Sequence, residues 1–308
     1  MKKAALIVLV CLCCLLTAQG EEEIHYSEVP SQAGQTADVN TESGGETVEE
    51  RSEPAGEVIH QEDGSVLVTL TAVGDITVGR NVQYSGKSIF VKELEKQGND
   101  PNFIFRNVKD IFASDSVTIA NFEGVLAETY KIPSNKRNND FLFLAPPEYA
   151  RVLRDNSIEM VTIENNHIRD FGEDGLDSTR NALDGQGICW ADAEHISFFE
   201  VSGFKIALLA YQTLNQPLTS KEMVPLIDQA IRSVRDENDL VVVYFHWGEE
   251  LDYTPRKNQI ELGRAAIDSG ADLVLYHIER DFFFELIHKV RQLRPRTYQT
   301  HQYEGKSA

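Results

Sequence analysis

The chain has 308 residues, 49 Asp/Glu against 29 Lys/Arg, a formal net charge of −20 and a pI near 4.8. A surface of that sign repels phosphate backbones and anionic headgroups, which excludes nucleic acid and acidic membranes as electrostatic partners. At 42% hydrophobic residues it is still apolar enough to bury a large core.

The chain opens with Lys2 and Lys3 before an apolar run, Ala4 to Ala18, and Ala18-Gln19-Gly20 sets small residues before a cut at Glu21. That is the pattern of a secretory signal peptide over residues 1–20, too short to span a bilayer comfortably. The expected location is therefore extracytoplasmic, secreted or at the cell envelope. Cys11, Cys13 and Cys14 lack the preceding small residue of lipoprotein processing, so no lipid anchor is expected. Cleavage would leave Cys189 alone and no intramolecular disulfide. Residues 21–64 carry 13 Asp/Glu against Arg51, a net of −12, and read as an acidic disordered linker.

Residues 65–280 read as one α/β domain. Val66 to Val73 predicts a strand stopping at Gly74-Asp75, and 104–113 has helical spacing. Strands follow over 115–120, ending in Asn121-Phe122-Glu123-Gly124, and over 158–163, with a helix at 148–154 between them. Thr129 to Asn139 reads as an exposed loop. Helices at 175–183, 226–234 and 258–269 then alternate with strands at 205–210, 240–245 and 271–276. Such alternation predicts an α/β sandwich around a largely parallel or mixed sheet.

The chemistry concentrates where strands stop. Glu164-Asn165-Asn166-His167, with Asp170, sets amide, imidazole and carboxylate at a strand-to-helix turn. The bland reading of that turn is a capped helix start with glycines. Five strands, however, end in ligand-type groups: Asp75, Asn121 with Glu123, Asn166 with His167, His246, and His277. Strand ends in one sheet share one rim, where open α/β sheets place their sites. No GxxxxGK loop, no GxSxG elbow and no Cys-x-x-Cys beyond residue 20 occurs. The neighbouring acids Glu249, Glu250 and Asp252 read as solvated rather than as a glycosidase pair.

Gly74-Asp75-Ile76-Thr77-Val78-Gly79-Arg80, Asn121-Phe122-Glu123-Gly124, Asn165-Asn166-His167 with Asp170, Gly172 and Gly175, and His246-Trp247-Gly248 together resemble the CapA, or PgsA-type, family. These capsule and poly-γ-glutamate synthesis proteins are related to calcineurin-like metallophosphatases, and the likeness runs from about Leu67 to Leu275. The resemblance implies a metallophosphoesterase-like α/β sandwich serving capsule or poly-γ-glutamate biosynthesis or export. It implies Asp75, Glu123, Asn166, His246 and His277 as metal ligands for Mn, Zn or Fe, in a dinuclear site. His167 would be the general acid or the oxyanion stabiliser with Asp170 behind it, and Arg80 and Asn121 would touch an anionic polymer or phosphoester substrate. Membrane-bound polymer synthase components are the implied partners. The alternatives are a non-catalytic assembly subunit of such a synthase, or a truncated inactive product.

Two departures from the pattern stand out. The family's His-Pro-His cluster is replaced by Tyr276-His277-Ile278-Glu279-Arg280, and strands expected beyond it are missing. Residues 281–308 form an atypical tail in which Lys289, Arg291, Arg294, Arg296 and Lys306 face only Glu304 over the last 21 residues. A frame shift near codon 277 would produce it, as would a divergent C-terminal helix.

Overall fold

A computed structural model describes residues 3–10, 58–60, 65–83, 87–136, 141–214, 218–248, 254–277 and 299–300. The expected cleavage point, most of the acidic linker and nearly all of the tail, with its frame-shift reading, lie outside the described residues.

In chain order the strands are β1 (Lys3–Val10), β2 (Ile59–His60), β3 (Ser65–Ile76), β4 (Arg80–Asn81), β5 (Val117–Phe122), β6 (Val125–Leu126) and β7 (Phe143–Ala145). They continue as β8 (Met160–Thr162), β9 (Cys189–Ala191), β10 (Ser197–Val201), β11 (Phe204–Gln212), β12 (Leu240–His246), β13 (Leu273–His277) and β14 (Gln299–Thr300). The helices are α1 (Ile89–Lys96), α2 (Lys109–Ser114), α3 (Arg151–Arg154), α4 (Gly172–Gly185), α5 (Ser220–Val234) and α6 (Lys257–Ser269). No helix among the described residues is long and apolar enough to cross a membrane.

Two main sheets result. One runs β14-β1-β3-β5-β8-β9 with β2 beside β3, and the other runs β10-β11-β12-β13. Neighbouring strands are parallel except at β2 and β10. The inner faces meet through Val68, Leu70, Ile119 and Met160 on one side and Ile206, Leu208, Val242 and Tyr244 on the other. The outer face of the first sheet, with Ala120, Phe122 and Val161, is covered by Phe112, Leu153, Leu176 and Leu183 from its helices. Leu209, Val243 and Phe245 are covered likewise by Ile227 and Ile231 of α5 and Leu262 and Ala266 of α6. The molecule is thus a helix–sheet–sheet–helix sandwich, as expected.

Local chemistry explains the elements. All seven residues of β12 are buried, as a central strand covered on both faces requires. β10 alternates buried and exposed residues, the signature of a half-covered antiparallel edge. Ser202 and Gly203, at φ 49° and 77°, close the β10–β11 hairpin in the two-residue turn that matches strand twist. A Thr219–Glu222 capping box starts α5, and Gly270 at φ 118° ends α6.

Several boundaries differ from expectation. The helix predicted at 104–113 is a short 3-10 turn, Pro101–Phe105, followed by α2. The strand predicted from residue 115 begins at Val117, because the Ser116 hydroxyl instead accepts the Thr69 amide at 3.1 Å. A small third sheet, β4-β7-β6, was not expected; its strands of two or three residues are too short to show periodicity. It depends on Gly79 (φ 97°), where a Cβ would sit 2.2 Å from the Leu144 carbonyl oxygen.

Asp115, just ahead of β5, is buried at 3% exposure and accepts the Thr118 hydroxyl at 2.8 Å. Burial pushes its carboxyl up to about 6, and the Thr71 and Thr118 hydroxyls beside it offset only part of that. The folded state therefore keeps a proton that the unfolded chain releases near 3.8, so this group costs stability as pH rises from about 4 to about 6. Asp115→Asn imitates the protonated form. Urea unfolding should find the variant more stable than wild type by about 2 kcal/mol at pH 7.5, with the gain vanishing near pH 4.

Candidate metal centre

The carboxyl ends of β3, β5, β8 and β12 deliver the site. Asp75 lies near the end of β3, opposite Asn121 of β5 in backbone register, and Glu123 follows β5 directly. His246 closes β12 in the other sheet. One carboxylate oxygen from each of Asp75 and Glu123 and one ring nitrogen of His246 lie within 4.8 Å of one another. Glu123 and His246 are buried, and Asp75 is half-buried.

Asn121 holds this cluster. It is fully buried, and its Nδ2 donates to Asp75 Oδ1 at 2.6 Å and faces His246 Nδ1 at 3.4 Å. Its Oδ1 accepts from Thr162 Oγ1 at 3.0 Å and Asn165 Nδ2 at 3.2 Å. Because an amide nitrogen only donates, His246 Nδ1 must be the unprotonated nitrogen. Nε2 then carries the proton and donates to Asn166 Oδ1 at 2.7 Å. Protein groups thus meet both the oxygen and the nitrogen of the Asn121 amide.

The Asn-Asn-His turn is fixed by the first of its asparagines. Asn165 Nδ2 also donates to the Phe122 carbonyl at 2.8 Å, and its Oδ1 accepts the His167 amide at 3.0 Å. His167 Nδ1 then meets Asp170 Oδ2 at 2.8 Å, so its Nε2 faces the cluster, 3.5 Å from Glu123 Oε1. The Phe143 ring lies against the imidazole, centroids 4.6 Å apart.

One of the expected residues stands apart. Arg80 is exposed on β4, paired through its backbone with Leu144, and no described contact joins its guanidinium to the cluster. His277 ends β13 opposite His246 in backbone register, which puts it at the same rim. Other site residues escaped the sequence reading. Gln212, the last residue of β11 and in register with His246, donates to Glu164 at 2.8 Å and to the Asn165 carbonyl at 2.9 Å. A polar residue at yet another strand end was the available signal. Burial holds the Glu164 carboxyl above its usual range, partly offset by bonds from Gln212 and Ala193. Lys136, inside the loop expected to be exposed, reaches Asp170 at 2.7 Å and is largely buried.

The donor set fits a divalent transition metal. Two carboxylates and an imidazole suit Mn, Fe or Zn better than Mg or Ca, which favour an all-oxygen cage. The burial of Tyr244 raises its phenol well above the usual value, and the charges of Asp75 and Glu123 raise it further. It remains a neutral donor to the Val73 carbonyl at 3.2 Å.

The α/β sandwich is of the metallophosphoesterase-like fold. Over residues 69–278 the sequence matches the family described as Bacterial capsule synthesis protein PGA_cap, and the chain belongs to it. Capsule biosynthesis protein CapA of Bacillus anthracis is 28% identical over 248 residues, covering 74% of this chain and 57% of its own. PGA biosynthesis protein CapA of Bacillus subtilis (strain 168) is 29% identical over 232 residues, covering 68% and 57%. The chain thus spans a little over half the length of these relatives. The crystal structure of a hypothetical protein from Thermus thermophilus aligns with 62% of this chain and 66% of its own at 16% identity and a TM-score of 0.34, a likeness too loose to bear on the site.

Full-length protein equilibrated with Mn or Zn and then desalted should retain metal on elemental analysis. Asp75→Ala and His246→Ala should each reduce the retained metal at least tenfold. Unchanged content in both would remove these residues from any metal site.

Proposed function

We propose that this chain is an envelope-located, metal-dependent phosphoesterase-type component of capsule or poly-γ-glutamate biosynthesis. The observation that carries this reading is the meeting of Asp75, Glu123 and His246 within 4.8 Å, with the His167–Asp170 pair beside them. The biosynthetic roles named for the two CapA relatives support the biological setting. The leader-like first 20 residues support the location.

A divalent ion, when bound, supplies Lewis acidity at a phosphoryl oxygen and makes an attacking water more acidic. The chain's own groups do the rest. Asp75, Glu123 and His246 hold the charge in place, and Asn121 fixes two of them. Asn166 Oδ1 orients the His246 ring through its Nε2–H bond. Asp170 accepts from His167 Nδ1 and so leaves Nε2 directed at the cluster, where the ring in its imidazolium form can deliver the Nε2 proton to a leaving alkoxide and return to the neutral state. Phe143 shields one side of that ring from water.

A second reading, a non-catalytic assembly subunit bound to a membrane polymer synthase, draws on one observation. His277 is followed by Ile-Glu-Arg rather than by the His-Pro-His cluster that the resemblance implies. A site short of ligands binds metal more weakly and can orient an anionic polymer without cleaving it.

Full-length protein assayed with bis(p-nitrophenyl) phosphate decides between them. Mn-dependent turnover abolished by EDTA is expected, falling about 10²–10⁴-fold in His167→Ala and in His246→Ala. Turnover that survives EDTA or both substitutions rejects the phosphoesterase reading. Retained metal, no hydrolysis at any metal concentration and copurification with synthase components would establish the second.

A further inference from the structure

Asp170 is buried to 1% side-chain exposure, and three donors hold it. Its Oδ2 accepts from His167 Nδ1 at 2.8 Å and from the Phe143 amide at 3.2 Å, while Oδ1 accepts from the Lys136 ammonium at 2.7 Å. A carboxylate this deep stays ionised and in one orientation only if charge and hydrogen bonds replace water. Two of its donors are neutral when His167 is neutral. Lys136 then supplies the compensating charge.

Lys136 comes from the segment joining β6 to β7, the stretch with the composition of a free loop. Its side chain is nevertheless only 21% exposed, between an aromatic contact earlier in the segment and one made by β7. Tyr130 sets its ring edge against Phe171 at 5.1 Å, and Phe143 lies on His167 at 4.6 Å. A cation needed only for solubility would not be drawn inward in an acidic protein.

We infer that Lys136 is a positioning residue for the acid–base pair. It locks Asp170, and through Asp170 it fixes the orientation of His167 and ties the β6–β7 segment down at the rim. It touches neither the Asp75–Glu123–His246 cluster nor, in this role, the substrate. The inference rests on the reading of His167–Asp170 as the proton-delivering pair, but its structural half stands without any activity.

The test compares Lys136→Met, which keeps the aliphatic length and drops the charge, with Lys136→Arg, which keeps the charge. Both are made in the full chain. In Mn-dependent diester hydrolysis, Lys136→Met should lower kcat about 10–100-fold with KM within about twofold, and Lys136→Arg should recover most of the loss. Metal content should match wild type in both. Hydrogen exchange at the Phe143 amide should speed up at least tenfold in Lys136→Met and stay near wild type in Lys136→Arg. Unaltered exchange at Phe143 in Lys136→Met overturns the inference, as does unaltered kcat. A loss of kcat accompanied by lost metal also overturns it, because it assigns Lys136 to the fold as a whole. Should no form turn over any diester, the phosphoesterase reading fails alone, and exchange with metal content still judges Lys136.

Discussion

The amide of Asn121 is the constraint on which the rim depends. At zero exposure neither its oxygen nor its nitrogen can turn to water, so each must be satisfied by protein. The four partners come from different places: Asp75 on β3, Thr162 on β8, Asn165 in the following turn and His246 on β12. One side chain thereby relates two strands, a turn and the facing sheet. A carboxylic acid of the same shape would present a second oxygen to Asp75 and repel it. A leucine would leave Thr162 and Asn165 without their acceptor.

With the positions fixed, the electrostatics follow. Asp75 and Glu123 meet at a part-buried rim, with Glu164 and Asp170 buried in the turn after β8, and buried carboxylates need donors in place of water. The fold answers this in three ways. Gln212 and a backbone amide support Glu164, Lys136 neutralises Asp170, and Asn121 donates to Asp75.

Much of this was legible in the sequence. β12 is an unbroken apolar run before His246, and β3 a β-branched run into Gly-Asp, so strand identity and strand end were both visible. Asp75 and Asn121 end neighbouring parallel strands of one sheet, as the alternation with helices implied, whereas His246 comes from a second sheet rather than the single sheet expected. What could not be read depends on distance in three dimensions. Lys136 lies 34 positions from Asp170, in a stretch with the composition of a free loop, and nothing local marks it as inward-facing. Gln212 looks like an ordinary strand terminus until the register sets it beside His246. Asn121 shares its motif with Glu123, and the same letters describe a ligand and a ligand's support. Only burial separates them.

The site draws on both sheets, and this ties its chemistry to the sandwich core. Asp75, Glu123 and the Asn-Asn-His turn belong to the first sheet, while His246 and Gln212 belong to the second. Their relative placement is set by the layer of Val68, Leu70, Ile119, Ile206, Leu208, Val242 and Tyr244 between the sheets. Such interiors are close-packed and do not deform smoothly, so a shift between sheets would break contacts rather than stretch them. Tyr244 shows the link at atomic scale, since its ring fills the core and its hydroxyl crosses to the Val73 carbonyl on β3, two residues before Asp75. The carboxylate–imidazole cluster and the hydrophobic core are therefore one structure, because the apolar layer beneath the cluster holds the two sheets in register.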